Sequence, residues 1–266
     1  MLERHIQSSR GMVYYWTNER ISPQKVAIVF CHGLTADHTL FDKQIEHLSS
    51  KYKLITWDYP LHGKSRPYED FTFTHVNKEL LTILKQENIE KIILVGQSAG
   101  GYIAQSFIQE CKDKVIGFIG IGTTPFGMSY YKKSELFWIK HFSTIARLYP
   151  FHYYCKASAK AITVTDEARA SMYKSLVNLG KRDMLKAASA VYSEFLKIKD
   201  EVPFHCPVLI TYGEYDNTGY VKKYNNSWAE KTGYPLKIIA NSSHNANYDN
   251  YEEFNEILIS FVESII

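Results

Sequence analysis

Residues 91–109 read "KIILVGQSAGGYIAQSFIQ", and the way this stretch is parsed decides the fold. Its first five residues are an apolar run of the length of a buried strand, and "GYIAQSFIQE", 101–110, opens a helix immediately beyond the serine. A strand that passes so abruptly into a helix needs a sharp turn, and Gly96 and Gly100 flank it. Ser98 lies between them. In this context the G-x-S-x-G pattern reads as a nucleophile elbow. The glycines leave space where strand and helix pass closely, and the turn projects the hydroxyl outward. An ordinary glycine-rich turn is the competing reading, and the rest of the chain weighs between the two.

Outward from the elbow the pattern alternates. "KVAIVF" (25–30), "KLITWD" (53–58), "KVIGFIGI" (114–121), "PVLITYG" (207–213) and "LKIIA" (236–240) read as strands. Helical spacing is expected over 38–49, 73–86, 101–111, 219–232 and 250–264, and residues 4–8 and 12–17 can form a hairpin around Gly11. Alternating strands and helices predict an α/β fold: a mostly parallel central sheet covered on both faces by helices. The rhythm breaks over 123–206, where helices are expected at 132–146, 166–177 and 182–197 without convincing core strands. This segment is expected to be an inserted helical cap. The predicted organisation is a first part of the core (1–122), the cap (123–206) and a second part of the core (207–266).

Composition bounds the remaining classes. The 266 residues, 45% hydrophobic and 22% charged with net charge +3, suit one folded domain with a sizeable core. Segment 123–206 holds thirteen Lys or Arg against seven Asp or Glu, which makes it +6 and the remainder about −3. A solvated helical surface is the first explanation of that excess, with an anionic substrate or membrane surface as the alternative. The segment also carries fourteen of the 38 aromatic residues, for which packing within the cap is the default role and a pocket lining the alternative. The opening "MLERHIQSSRG" lacks a secretory apolar core, and no run of 18 apolar residues follows, so neither export nor integral membrane association is expected. Cys31, Cys111, Cys155 and Cys206 are widely spaced, which predicts reduced thiols and a cytoplasmic location. Neither a zinc-ligand cluster nor a dinucleotide-binding fingerprint is present, so no metal and no organic cofactor is expected. Nucleic-acid binding is disfavoured by the absence of a recognised module and of a large basic excess.

A serine hydroxyl is a weak nucleophile unless a base takes its proton. Of ten histidines, His244 stands out in "NSSHNAN", between the late strand "LKIIA" and the terminal helix. Surface or packing roles are the default for His5, His38, His47, His75, His141, His152 and His205. The imidazole needs a carboxylate to fix its tautomer, and Asp216 in "LITYGEYDNTG" follows a strand and precedes His244 by 28 positions, with Glu214 as the alternative acid. The order Ser98, Asp216, His244 differs from both serine-protease orders. Candidate oxyanion donors are the backbone N–H groups of Leu34, after "HG" at the end of an early strand, and Ala99, at the start of the helix after the nucleophile. His32 and Gly33 are expected to shape the former loop; proton transfer by His32 is the minor alternative.

These pieces together resemble the α/β-hydrolase fold superfamily, in its capped esterase-like group. "VFCHGL" resembles the oxyanion-loop region, "WDYPLHGKSRP" the turn after the following strand, "VGQSAGG" the elbow, "YGEYD" the acidic loop and "SSHNAN" the histidine loop. The likeness covers nearly the whole chain, least securely in the cap. Leu61 stands where many relatives have glycine, and Asp58 is expected to be structural. An elbow that presents Ser98 instead of Asp disfavours haloalkane dehalogenases and epoxide hydrolases. The resemblance implies a serine hydrolase of small or medium acyl esters working through an acyl-enzyme. A thioester, an amide or a carbon–carbon bond in a diketone-like acid are alternative targets, perhydrolysis is a side reaction of the architecture, and a hydrolase-like ligand receptor is an alternative of another class. The expected partner is a small acyl substrate, and the sequence does not choose between monomer and homodimer.

Overall fold

The computed structural model describes residues 1–22 and 25–266. In chain order the strands are β1 (Leu2–Ser8), β2 (Gly11–Thr17), β3 (Val26–Cys31), β4 (Leu54–Trp57), β5 (Lys91–Gln97), β6 (Val115–Ile121), β7 (Val208–Gly213) and β8 (Leu236–Ile239). The α-helices are α1 (Asp42–Leu48), α2 (Phe73–Gln86), α3 (Ala99–Glu110), α4 (Lys133–Arg147), α5 (Phe151–Ile162), α6 (Asp166–Leu179), α7 (Lys181–Phe195), α8 (Val221–Thr232), α9 (Ala246–Asp249) and α10 (Tyr251–Glu263). The eight strands form one sheet in the order β1-β2-β4-β3-β5-β6-β7-β8. β3 to β8 run parallel, and the β1–β2 hairpin adds antiparallel to β4. The mostly parallel α/β architecture expected from the strand rhythm is therefore the fold observed.

The sheet divides two apolar cores. Along β3, Ala27, Val29 and Cys31 face one core and Ile28 and Phe30 the other. Along β5, Ile92 and Leu94 face the first and Ile93 and Val95 the second. This period of two, with both faces covered, is why these strands read as unbroken apolar runs. The first core takes side chains from α2, α3 and α8, the second from α1 and α10. Each fully buried Ile, Leu or Phe contributes about 1.5–3 kcal/mol, so burial on both faces holds the sheet between its helical layers. At the open edge β1 shows mostly polar, exposed residues, Glu3, Arg4 and His5 among them, which guards an unpaired strand against further pairing.

Four helices, α4 to α7, lie between β6 and β7, where three were expected. The unexpected one is α5, "FHYYCKASAKAI". Its first half, Phe-His-Tyr-Tyr-Cys, is poor in helix formers and has no acid in its first turn, so local signals are weak. Packing sets it instead: Cys155 and Ala159, one turn apart, are buried. The helix expected over 38–49 is a 3-10 turn at His38–Phe41 followed by α1, with Asp37 capping the turn through its carboxylate. Leu61 adopts φ +73, in the left-handed region, while only 3% exposed. The turn thus keeps a glycine-like backbone, and burial of the leucine offsets a strain of about 1–2 kcal/mol.

Candidate active site

The strand order reverses between β3 and β5: the chain leaves β3 toward β4 on one side and continues from β5 through β6 to β8 on the other. A parallel sheet opens a crevice at the carboxyl ends of its strands at such a switch point. The loop after β3 brings Cys31, His32, Gly33 and Leu34 to that edge, and β5 delivers Ser98 beside it. The loops after β7 and β8 bring Asp216 and His244 to the same edge.

Ser98 has φ +49 and ψ −119, a conformation that non-glycine residues rarely hold. It is fixed from both sides: Ser98 N–H donates to the Ile121 carbonyl at 2.8 Å, and Gly101 N–H to the Ser98 carbonyl at 2.9 Å. Close packing permits no side chain nearby. A Cβ on Gly100 would collide with the Cys31 and His32 carbonyls, and one on Gly96 would come within 2.6 Å of Gly101 Cα. Gly33 abuts the Gln97 side-chain oxygen, and a Cβ there would stand 3.2 Å from Ser98 Cβ. Among the described residues neither Leu34 N–H nor Ala99 N–H donates to a protein acceptor. The Ser98 side chain is partly exposed.

His244 is buried, and its Nδ1 lies 2.7 Å from Asp216 Oδ2. The other Asp216 oxygen accepts from Thr218 N–H at 2.8 Å. Burial would raise the Asp216 carboxyl, but the charge and hydrogen bond of His244, with the Thr218 contacts, outweigh it and hold the group below its usual range. A carboxylate on Nδ1–H leaves Nε2 as the basic nitrogen. Glu214, two positions earlier, is exposed and accepts from Asn241 N–H at 3.0 Å, away from the imidazole.

His32 is fully buried, with Nδ1–H on the Gly33 carbonyl at 2.8 Å and its ring stacked on Tyr59 at 4.3 Å. Burial lowers its basicity, so the ring is a neutral wedge beneath the loop. Asp58 belongs to a separate pair. Its Oδ1 accepts from His38 Nδ1 and His38 N–H, both at 2.8 Å, and its Oδ2 from Lys64 N–H at 2.6 Å.

Three contributors escape a reading of the sequence. Gln97 donates from Nε2 to the His244 carbonyl at 3.0 Å, tying the elbow to the histidine loop. Its signal was a long amide in an otherwise apolar strand end. Gly122 has φ +53, and a Cβ there would stand 3.0 Å from His244 Nδ1 and 3.1 Å from Asp216 Oδ2. A glycine just after β6 was its only mark. Asp249 accepts from Ser243 N–H with one oxygen at 3.0 Å and from Val164 and Thr165 N–H with the other, at 2.8 and 3.0 Å. It ties the histidine loop to the α5–α6 junction, a role that a lone acid five positions past His244 does not announce.

Comparison with known proteins agrees with the fold. A family model described as alpha/beta hydrolase fold matches residues 26–251. A segment of 78 residues is 38% identical to 3-oxoadipate enol-lactonase 1 of Acinetobacter baylyi, covering 29% of this chain and 29% of that enzyme. Over 90% of the chain, identity is 23% to a 2-hydroxy-6-oxononadienedioate/2-hydroxy-6-oxononatrienedioate hydrolase of Klebsiella pneumoniae, 87% of which is covered. The solved structure of a thermophilic esterase from Thermogutta terrifontis superposes with TM-score 0.80 at 15% identity, covering 100% of this chain and 99% of that one.

Proposed function

The chain belongs to the α/β-hydrolase fold family, and from that premise we propose that it is a serine hydrolase of small or medium acyl esters. The observation that carries the reading is the 2.7 Å His244–Asp216 pair, tied through Gln97 to an elbow that holds Ser98 at φ +49. Ser98 attacks the acyl carbonyl while His244 Nε2 takes its proton, and Asp216 stabilises the imidazolium that forms. The idle N–H groups of Leu34 and Ala99 receive the negative charge on the tetrahedral oxygen, Ala99 with the help of the α3 N-terminus. His244 returns the proton to the departing alcohol, leaving Ser98 acylated. It then activates water to release the acid. Among the described residues the Ser98 hydroxyl makes no hydrogen bond, and in this reading its bond to His244 Nε2 forms in the substrate complex. Helices α4 to α7 act as a cap over the core, with Asp249 anchoring their α5–α6 junction to the histidine loop. The four cysteines are free and suit a reducing, cytoplasmic setting. Among the described residues no helix is long and apolar enough to cross a membrane.

A second reading, hydrolysis of a carbon–carbon bond in a diketone-like acid, is favoured by the near full-length alignment with the Klebsiella pneumoniae hydrolase. A panel of esters of graded acyl length, lactones, thioesters, amides and diketone acids, assayed with wild type and Ser98→Ala, separates the two. An ester preference with loss of about ten-thousandfold or more in Ser98→Ala is the expected result. Near-wild-type turnover by that variant would remove Ser98 from the chemistry, and turnover of the diketone alone would move the reading to the second class.

A further inference from the structure

Helix α4 carries apolar side chains on both sides, and only one side is used. Leu136, Ile139, Phe142 and Ala146 face inward, with Phe142 edge-on to Tyr192 of α7 at 5.3 Å. The opposite side is exposed. Phe137 is 54% and Trp138 62% exposed, and the stripe runs past His141 and Thr144 to Leu148, 80% exposed, at the helical spacings that share a face. Tyr149 and Tyr153 extend the exposed aromatic surface into the turn and the start of α5.

Charge along this segment is almost entirely of one sign. Residues 132–164 contain six cations, Lys132, Lys133, Lys140, Arg147, Lys156 and Lys160, and a single acid, Glu135. That acid is turned inward, 11% exposed, and bonded to Lys223, Tyr224 and the Lys132 N–H. None of the six cations forms an ion pair among the described residues. Lys133, Lys140 and Arg147 recur every seven residues and so line one edge of the Phe137–Leu148 stripe.

We propose that the outer face of α4 and the turn after it dock this protein on an anionic lipid surface. Aromatic and aliphatic side chains would enter the boundary between headgroups and acyl chains, and the cationic edge would lie on the headgroups. A second copy of this chain is the poorer occupant. A two-fold contact through this face would set unpaired cations against cations with no acid to meet them. The inference does not depend on which bond the enzyme cleaves, because it concerns a face that carries none of the proposed reacting groups.

Trp138 supplies a built-in reporter. The other three tryptophans, Trp16, Trp57 and Trp228, are at most 8% exposed. The full chain is titrated with phosphatidylcholine vesicles, with and without phosphatidylglycerol, while tryptophan emission and sedimentation with the vesicles are followed. A blue shift and co-sedimentation with the anionic vesicles are expected, weakening as salt is raised. Each cation at such a surface is worth about fivefold in partition, so Lys133→Gln, Lys140→Gln and Arg147→Gln together should lower it about a hundredfold. Phe137→Ser with Leu148→Ser should lower partition at least about tenfold while retaining the Trp138 reporter and unaltered ester turnover in solution. Absence of any shift with anionic vesicles, equal partition into phosphatidylcholine alone, or variants that bind like wild type would overturn the proposal. So would a concentration-dependent dimer, abolished by the same substitutions, in a protein that ignores vesicles.

Discussion

His244 and His38 each hold a buried aspartate through Nδ1, at 2.7 Å from Asp216 and 2.8 Å from Asp58. The two pairs sit at the ends of β8 and β7 and of β4, on the same edge of one sheet. Their surroundings differ. The His38 ring is stacked face to face on Trp16 at 3.4 Å, and Asp58 is saturated by the N–H groups of His38 and Lys64 as well as by the ring. That pair staples the loop after β3 to the loop after β4. His244 instead lies against Gly122, where no side chain intervenes, with its backbone held by Gln97 next to Ser98. Burial works against the charge on His38, but Asp58 outweighs it and raises its basicity, which favours an imidazolium that has no proton-accepting nitrogen. A histidine–aspartate contact is therefore no signature of catalysis by itself. What the rest of the ring faces decides its use.

Substitutions can break this contrast at graded cost. His244→Ala should lower ester turnover about 10⁴- to 10⁶-fold, while His38→Gln should leave it within a few-fold; comparable losses in both would erase the distinction. Asp216→Asn should cost about 10³- to 10⁴-fold in kcat with little change in KM, because the neutral amide can hold the wrong imidazole tautomer. If Glu214→Gln proved the more damaging change, the assigned acid would be wrong. Gly122→Ala places a methyl against both members of the pair at a residue with φ +53. A kcat loss of about ten- to a hundredfold and a stability loss of about 1–2 kcal/mol are expected, read from kinetics and thermal melting of the same preparation.

The smallest effect on turnover belongs to the staple. His38→Gln should cost about 1–3 kcal/mol in stability with a distinctive pH dependence. Because folding raises the His38 pKa, its contribution is full below the unfolded value of about 6.5 and is lost as pH rises through the folded value. Asp58 has the opposite sign. Burial alone would raise its carboxyl, but the hydrogen bond and charge of His38, with the Lys64 N–H, hold it low, so its contribution is present above about pH 3.9 and is lost as pH falls through the depressed folded value. The difference in melting temperature between wild type and His38→Gln should be greatest between these limits and shrink toward alkaline pH. A difference that is flat from acid to alkaline pH would show that the pair contributes by packing and not by charge.

Much of the core was legible because its strands are buried on both faces and its helices carry one apolar stripe, and both patterns are local. "KIILVGQSAGG" announced strand, turn and helix within eleven residues, and β5, Ser98 and α3 lie there in the structure. α5 was not legible, since its aromatic first half lacks helix-forming residues and its helix is stabilised by packing against α6. Gln97, Gly122 and Asp249 were not legible for a related reason: each acts through partners far along the chain, Gln97 on a carbonyl 147 positions away.

The sequence by itself determined the alternating α/β architecture, the helical interruption between β6 and β7, and the serine-bearing turn, because backbone periodicity and glycine placement are written in neighbouring residues. Only the tertiary structure decided which of two acids touches His244, which of ten histidines pairs with Asp58, and what seats and ties the His244 loop. Those outcomes depend on strand order and on close packing at the carboxyl edge of the sheet. A change of register there moves every loop while leaving each local pattern unaltered.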